Sequence, residues 1–134
     1  KRALRMDKIR IAATEATLRL YRDLDRLAQH LPTLRLLSRP QEQIRVQAER
    51  LAGPVAARLG CSARVIDCAS QIGSGALPTD MIPSAGLALT PNPEALAARL
   101  RGLATPIIGR IHDGALILDL RCLADDAALL DALA

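Results

Sequence analysis

Aromatic side chains are almost missing from the sequence, which has no Phe, no Trp and a single Tyr, Tyr21. Half of the 134 residues are nevertheless hydrophobic, so a packed core is expected rather than disorder. That core has to be built from Leu, Ile, Val and Ala. The lack of aromatic rings also argues against a platform on which single-stranded nucleic acid stacks.

Metal-binding and membrane patterns are missing as well. Cys61, Cys68 and Cys122 are odd in number and lack CxxC spacing, and His30 and His112 complete no zinc motif. We therefore expect free cysteines, no metal and a cytoplasmic protein. No apolar run approaches the ~20 residues of a membrane helix, and no signal peptide is evident. The chain opens without Met, which suggests a fragment or a processed product.

Charge is distributed unevenly around a net value of +4. Residues 1–60 carry thirteen Lys or Arg against six Asp or Glu, whereas residues 61–134 carry five against eight. A basic first half suits a polyanion, a small anion or an acidic neighbouring subunit. A solvated helix face is the simpler interpretation of the same pattern.

The first half of the sequence is predicted to be helical. Asp7 is an expected N-cap, Pro40 suits a first helical turn and Gly60 suits a C-cap, while Gly53-Pro54 is expected to kink or interrupt the last helix. Apolar residues at helical spacing predict a buried stripe on that helix at Ile44, Ala48, Leu51, Val55 and Leu59. The predicted segments are helices over about 8–22, 24–30 and 38–59, with a leucine-rich linker over 31–37.

The stretch from Val65 to Thr90 is predicted to form a strand, a glycine-bearing turn and a second strand. Gly73 and Gly75 permit backbone conformations that a Cβ would forbid. Pro78 and Pro83 are expected to stiffen the connection between the strands. The Ile72–Gly75 segment lacks the lysine and the spacing of a phosphate-binding loop.

The last third alternates between helix and strand. Asn92-Pro93 is a helix-start signal for a helix that should end near Gly102, and Asp113-Gly114 is a strong hairpin signal. The two strands beside this turn, at about 107–111 and 115–120, are expected to be at least half buried. A closing helix is predicted over about 125–133. The predicted fold is α/β, in detail an α+β domain with a small, mostly antiparallel sheet of about four strands covered by helices.

Several arginines are candidates for binding an anion. Arg2 and Arg5 form a compact cationic pair that suits a phosphate-like group. Arg110 and Arg121 lie in or beside apolar strands, where an unpaired guanidinium is costly. Their partner is either an acid of the chain itself, such as Asp119 or Asp67, or a bound carboxylate or phosphate. Ser74, Gly73 and Gly75 are further candidates in the central loop.

Two catalytic interpretations are rejected on sequence grounds. Ser70 or Ser74 with His112 and Asp113 could be written as a triad, but neighbouring His and Asp residues rarely point at each other and no nucleophile elbow is present. Lys8 has no sign of the desolvation that activates a Schiff-base lysine.

Five segments, occurring in one order, together resemble the C-terminal part of bacterial selenocysteine synthases, the L-seryl-tRNA(Sec) selenium transferase family. These segments are Lys1–Arg5, Leu31–Leu37, Ser70–Pro78, Ile108–Ile111 and Leu118–Leu123. The resemblance implies the C-terminal small domain of a fold-type-I pyridoxal-phosphate enzyme over 38–134. Residues 1–37 would be the helix and linker that join it to a large domain.

The resemblance also implies a reaction and its partners. The family converts seryl-tRNA(Sec) to selenocysteinyl-tRNA(Sec), with selenophosphate as selenium donor and pyridoxal phosphate as cofactor. The Schiff-base lysine is implied to lie upstream of Lys1, so no catalytic residue is expected here and the chain alone is expected to be inactive. Arg2 and Arg5 are implied to bind the selenium-donor anion. The complete protein is implied to be a homo-oligomer, a ring-shaped decamer built of dimers.

Two alternatives remain open at this point. One is a related pyridoxal-phosphate lyase or aldolase of the same fold. The other is a free-standing interaction or anion-sensing module, suggested by the ββαββα order and the basic helix.

Overall fold

The computed structural model describes residues 5–72 and 80–134. Backbone contacts divide the chain into two compact units, one ending at Ser38 and the other formed by Arg39–Ala134. That residues 1–37 join this second unit to another domain stays a prediction. The elements are α1 Lys8–Leu20, α2 Leu24–His30, α3 Pro32–Leu37, α4 Gln41–Leu59, β1 Ser62–Gln71, β2 Met81–Thr90, α5 Pro93–Arg101, β3 Arg110–His112, β4 Ala115–Asp119 and α6 Asp126–Ala132.

Within its described residues, 5–38, the first unit contains three helices. Asp7 caps α1 as predicted, since its carboxylate accepts a hydrogen bond from the backbone N–H of Arg10 at 2.9 Å. The segment predicted as a linker is instead the short helix α3, so that prediction was wrong. Pro32 occupies the first turn of α3, where a residue without an N–H loses no hydrogen bond. None of the side chains of α1 is buried.

The long helix α4 carries the buried stripe that was predicted from its spacing, and Gln47 is buried beside it. The helix begins at Gln41 rather than at Ser38, because Pro40 is in an extended conformation at the N-cap. The predicted interruption at Gly53-Pro54 was wrong, since α4 continues through Pro54 to Leu59. Burial on both sides of the proline, at Leu51 and Val55, outweighs the lost backbone hydrogen bond. Gly60 ends the helix with a φ of 64°.

The four strands that the described residues contain form one antiparallel sheet in the order β1-β2-β4-β3. Helix α4 packs on β1 and β2, α5 packs on β4, and α6 packs on α4. Leu87, Leu89, Leu116 and Leu118 alternate onto the helix-covered face and join the main core. Each buried leucine stabilises the fold by about 1.5–3 kcal/mol relative to exposure. The predicted α+β class with a four-stranded sheet and helices is confirmed.

The opposite face of the sheet carries no helix of this unit among the described residues. Its residues form a small separate apolar cluster of Ala88, Ala115 and Ile117, with Ile66 packed beside them. We call this side the open face. Ala88, Ala115 and Ile117 are nevertheless buried, at 5–8% exposure, so these side chains are not left open to solvent.

The β3–β4 hairpin turns at Asp113 and Gly114, both of which have positive φ, at 48° and 72°. This is the type of turn that an Asp-Gly pair predicts. The expectation of burial holds for β4 but is wrong for β3, whose three residues are all exposed. The reason is that β3 is a short edge strand which, among the strands of residues 5–72 and 80–134, has β4 alone as a neighbour.

Pro83 lies inside β2, opposite Ala69 of β1, and not in the connection between the strands as predicted. The ladder between β2 and β4 covers only Gly86 to Leu89. At Pro83 the strand therefore has, in the part of the chain that the structure describes, a strand neighbour on one side only, a position where a missing N–H is tolerated. Pro78, Gly73, Ser74 and Gly75 lie outside the described residues.

Candidate functional site

The hairpin formed by β1 and β2 extends beyond the rest of the sheet. We call residues 62–66 and 86–90 its inner half and residues 67–71 and 81–85 its outer half. The β2–β4 ladder ends where Gly86 pairs with Asp119. A Cβ at Gly86 would overlap the carbonyl oxygen of Leu118, so only glycine allows β2 to approach β4 this closely. The side chain of Asp119 consequently stands beside the start of the outer half.

Asp119 is the centre of a polar cluster on the open face. Its carboxylate accepts hydrogen bonds from the Ser70 hydroxyl at 2.6 Å and the Ser84 hydroxyl at 2.7 Å, and from the backbone N–H of Arg121 at 3.1 Å. Burial by itself would raise the pKa of Asp119, but these hydrogen bonds and the nearby charge of Arg110 lower the pKa overall. The carboxylate is thus ionised and serves as the acceptor that both strands of the outer half share.

Arg110 reaches this cluster from the far edge of the sheet. Its guanidinium lies 3.8 Å from the Asp119 carboxylate and donates a hydrogen bond to the Ala69 carbonyl at 3.2 Å. Because β1 and β3 are the two opposite edges, this contact shows that the outer half comes across the open face. Of the partners predicted for Arg110, the internal acid Asp119 is the one the structure provides. The side chain is 49% exposed, and its binding of an external anion stays a prediction.

Arg121 is buried, with only 2% of its surface exposed. Its guanidinium donates hydrogen bonds to the Pro83 carbonyl at 2.5 Å and to the Arg39 carbonyl at 3.0 Å. The other acid considered as its partner, Asp67, instead contacts Arg45 and Gln41 of the helical layer. These contacts make Arg121 part of the fold, and a role in anion binding stays a prediction.

Arg39, the first residue of the second unit, contacts Arg121 and the turn that follows β4. Its guanidinium donates to the backbone carbonyls of Leu120, Arg121 and Leu123 and to the side chain of Gln47, at 2.5–3.1 Å. Burial, followed by the nearby charge of Arg121, lowers the pKa of Arg39. The turn after β4 is therefore held between two arginines that each bond to the other's backbone.

The outer half and β3 line a solvent-open cavity of about 460 Å³ on the open face. Its wall includes Ile66, Cys68, Arg110, His112 and Ile117. Burial and the charge of Asp119 raise the pKa of Cys68, so this thiol is protonated and a weak nucleophile. No cluster of three or more metal-ligating His, Cys, Asp or Glu side chains occurs in residues 5–72 and 80–134.

Two members of the rejected triad, His112 and Asp113, lie close together. His112 Nε2 and Asp113 Oδ2 are 3.3 Å apart, so the expectation that these neighbours would not meet was wrong. Both side chains are largely exposed at the turn, which lets them approach each other freely. The hydroxyl of Ser70 donates to Asp119 instead, and Ser74 lies outside the described residues.

The remaining predicted site residues are Arg2 and Arg5. Arg2 lies outside the described residues, while Arg5 is exposed and precedes α1 without belonging to it. The prediction that Arg2 and Arg5 form a compact cationic pair is therefore not tested. Their binding of an anion stays a prediction.

The described residues do not fit a cofactor bound through lysine. The sequence contains two lysines, Lys1 and Lys8, and only Lys8 is described. Lys8 is exposed in the first turn of α1, a helix with no buried side chain that could form part of a pocket. No helix in the described ranges combines the length and apolar character needed to cross a bilayer.

Sequence reasoning missed the role of Ser84, Arg39 and Gln47. The available signal was an acid that ends an apolar strand, since Asp119 follows Ala115–Leu118 directly. Such an acid has to find donors near the sheet. Which donors these are depends on the crossing of the hairpin, which no local pattern shows.

Comparisons with known proteins give a consistent result. A family model described as SelA, L-seryl-tRNA selenium transferase, matches residues 1–124. The chain is 61% identical to the L-seryl-tRNA(Sec) selenium transferase of Rhizobium meliloti, 59% identical to that of Methylocella silvestris and 54% identical to that of an Escherichia coli strain. Each match covers 99% of this chain but 30% of the relative. The chain thus spans about a third of the length of these relatives.

Proposed function

Because this chain belongs to the L-seryl-tRNA(Sec) selenium transferase family, we propose that it is the C-terminal part of an enzyme that converts seryl-tRNA(Sec) to selenocysteinyl-tRNA(Sec). The observation that carries this proposal is the 61% identity over 99% of the chain to a protein of that name. The five segments that carry the resemblance are spread from residue 1 to residue 123. The proposal therefore rests on the whole chain and not on one motif.

Pyridoxal phosphate is the proposed cofactor of the complete protein, and selenophosphate the proposed selenium donor. In the fold-type-I architecture that the resemblance implies, the cofactor-binding lysine belongs to the large domain. The exposed position of Lys8 supports placing that lysine elsewhere in the protein. The complete protein is further proposed to be cytoplasmic and to assemble as a ring of dimers.

Arg2 and Arg5 are the residues proposed to bind the selenium-donor anion. The basic balance of residues 1–60 supports this assignment, because it raises the local concentration of anions. Guanidinium groups also match the geometry of phosphate oxygens better than ammonium groups do. This chain would then contribute an anion site to an active centre that it does not build alone.

The first experiment compares this chain with the complete protein. Each is mixed with pyridoxal phosphate, its visible absorption spectrum is recorded before and after borohydride, and each is assayed with seryl-tRNA(Sec) and selenophosphate. A borohydride-sensitive band and selenium transfer in the complete protein alone would support the proposal. Absence of the band in both would overturn the cofactor assignment. A band without binding of seryl-tRNA(Sec) would favour a lyase or aldolase of the same fold.

The anion site is tested in the complete protein with Arg5→Ala and Arg5→Lys. Losing a charge-assisted hydrogen bond should raise the KM for selenophosphate by about tenfold or more, with part of the effect recovered by lysine. Arg10→Ala is the matched control, since Arg10 is also exposed but pairs with Asp7 at 3.4 Å. Equal effects at both positions would contradict a specific role for Arg5.

A further inference from the structure

In the outer half of the β1–β2 hairpin, side-chain hydrogen bonds replace the backbone ladder to β4. Beyond Gly86, β2 has no ladder to β4, and the backbone contact that follows is the Leu120 N–H to the Ala85 carbonyl at 3.2 Å. From there outward, Asp119 binds Ser70 and Ser84, one residue from each strand. Where the neighbouring strand ends, the outer half is consequently held by the Asp119 carboxylate on the open face and by Gln41 and Arg45 of α4 on the other face.

Two arginines hold the backbone of the same segment. Arg110 donates to the Ala69 carbonyl on β1, and Arg121 donates to the Pro83 carbonyl on β2. Because Ala69 and Pro83 pair directly across the hairpin, the two guanidinium groups bind it at one level. Charge-assisted hydrogen bonds of this kind are stronger than neutral ones.

We propose that Asp119, Arg110 and Arg121 form a latch that holds the outer half of the hairpin across the open face, and that Arg121 couples this position to Arg39. The coupling follows from the geometry of Arg121, which bonds to the Pro83 carbonyl on one side and the Arg39 carbonyl on the other. Arg39 in turn fixes the turn from Leu120 to Leu123, from which Arg121 projects. A displacement where the second unit begins is thereby passed to the hairpin. This inference does not depend on the proposed selenium transfer.

The latch is tested by hydrogen–deuterium exchange on the complete protein. Asp119→Asn keeps the shape of the side chain but removes the charge and one acceptor oxygen. Amides in residues 66–72 and 80–85 should exchange about tenfold faster in this variant, while those of α4 and α5 keep their wild-type rates. Arg19→Ala is the matched control, because it removes an exposed ion pair with Glu15 at 2.7 Å within α1. It should leave the outer half unchanged.

A milder variant separates local release of the hairpin from a general loss of stability. Ser70→Ala removes one hydrogen bond to Asp119 and leaves no buried charge unpaired, so it should give a smaller increase confined to the same residues. Unchanged exchange in the outer half for both variants would overturn the latch. An increase spread equally over α4, α5 and the hairpin would overturn it as well, because it would show loss of stability without local release.

The coupling is tested separately with Arg39→Ala. Arg39 itself does not hydrogen-bond to residues 81–85 through its side chain, yet their amides should exchange faster because Arg121 loses its fixed position. An increase limited to residues 120–123 would show that Arg39 only braces its own turn and would overturn the coupling.

Discussion

The inner and outer halves of the β1–β2 hairpin are stabilised by different forces. The inner half has β4 as a strand neighbour and buries Leu87 and Leu89 under the helices. The outer half lacks that neighbour and is held by polar contacts. Asp119 accepts hydrogen bonds from its serines, Arg110 and Arg121 donate to its backbone, and its Asp67 accepts from Gln41 and Arg45. Apolar burial tolerates small shifts, whereas hydrogen bonds depend on direction. A single hairpin therefore combines a segment fixed by packing with one that a few polar side chains control.

The largest expected effect concerns the inner half. Leu87→Ala removes a fully buried side chain from the main core and should lower the free energy of unfolding by about 2–5 kcal/mol. Chemical denaturation of this chain measures the change. A loss below that of a surface substitution would contradict the assignment of the inner half to the core.

The junction between the two halves is tested by Gly86→Ala. The added methyl group would overlap the backbone of β4 and should cost about 1–3 kcal/mol, measured by the same denaturation. The matched control is Gly53→Ala, whose Cβ would meet no atom within 4 Å in α4 and which should be neutral or stabilising. Equal changes in unfolding free energy for the two variants would show that the close approach of β2 to β4 does not require glycine at position 86.

Acid sensitivity should distinguish the outer half from the inner half. The folded-state pKa of Asp119 is lowered from its ordinary value of 3.8, because hydrogen bonds from Ser70, Ser84 and the Arg121 N–H, with the charge of Arg110, outweigh burial. Its contribution to stability is therefore complete above the ordinary pKa and is lost as the pH falls through the lower folded value.

The measurement is the unfolding free energy of wild type and Asp119→Asn between neutral pH and about pH 3. The advantage of the wild type should shrink toward the acid end. The neighbouring thiol of Cys68 stays protonated over this range, because burial and the charge of Asp119 raise its pKa. A difference independent of pH would mean that ionisation of Asp119 does not stabilise the hairpin.

The smallest effect is expected away from the hairpin. Arg50 is 61% exposed and its ion pair with Asp126 lies at the surface, so Arg50→Ala should change the unfolding free energy by less than about 1 kcal/mol. Thermal unfolding at low and high salt checks this. A larger loss of unfolding free energy would show that an exposed ion pair stabilises the fold as much as the latch does. Polar contacts would then not distinguish the outer half from the rest of the domain.

Local patterns predicted much of the fold. The stripe from Ile44 to Leu59, the caps at Asp7 and Gly60 and the turn at Asp113-Gly114 each depend on residues close in sequence, and the structure contains all of them. The failures have a common origin. Pro54 was expected to kink or interrupt α4, and the interruption is absent; Pro83 was expected to lie outside a strand. In both cases tertiary surroundings compensate for the missing N–H.

The polar cluster could be predicted only in part. Asp119 was a named partner for Arg110 because a guanidinium beside an apolar strand needs an acid. Ser84 and Arg39 could not be found in this way, since Ser84 is 35 residues from Asp119 and Arg39 is 82 residues from Arg121. The order of the strands brings these residues together, and no spacing along the chain encodes it.

The sequence by itself determined the family, the helical stripes, the turns and the apolar strands, because each depends on residue identity at short range. The tertiary structure alone decided that the β1–β2 hairpin extends beyond the end of β4. It also decided that Asp119 accepts a hydrogen bond from a serine of each strand, and that Arg121 donates to the carbonyls of both Pro83 and Arg39. The physical reason is that a buried charge is stable only where donors converge on it. That convergence exists only once the strands have been placed side by side.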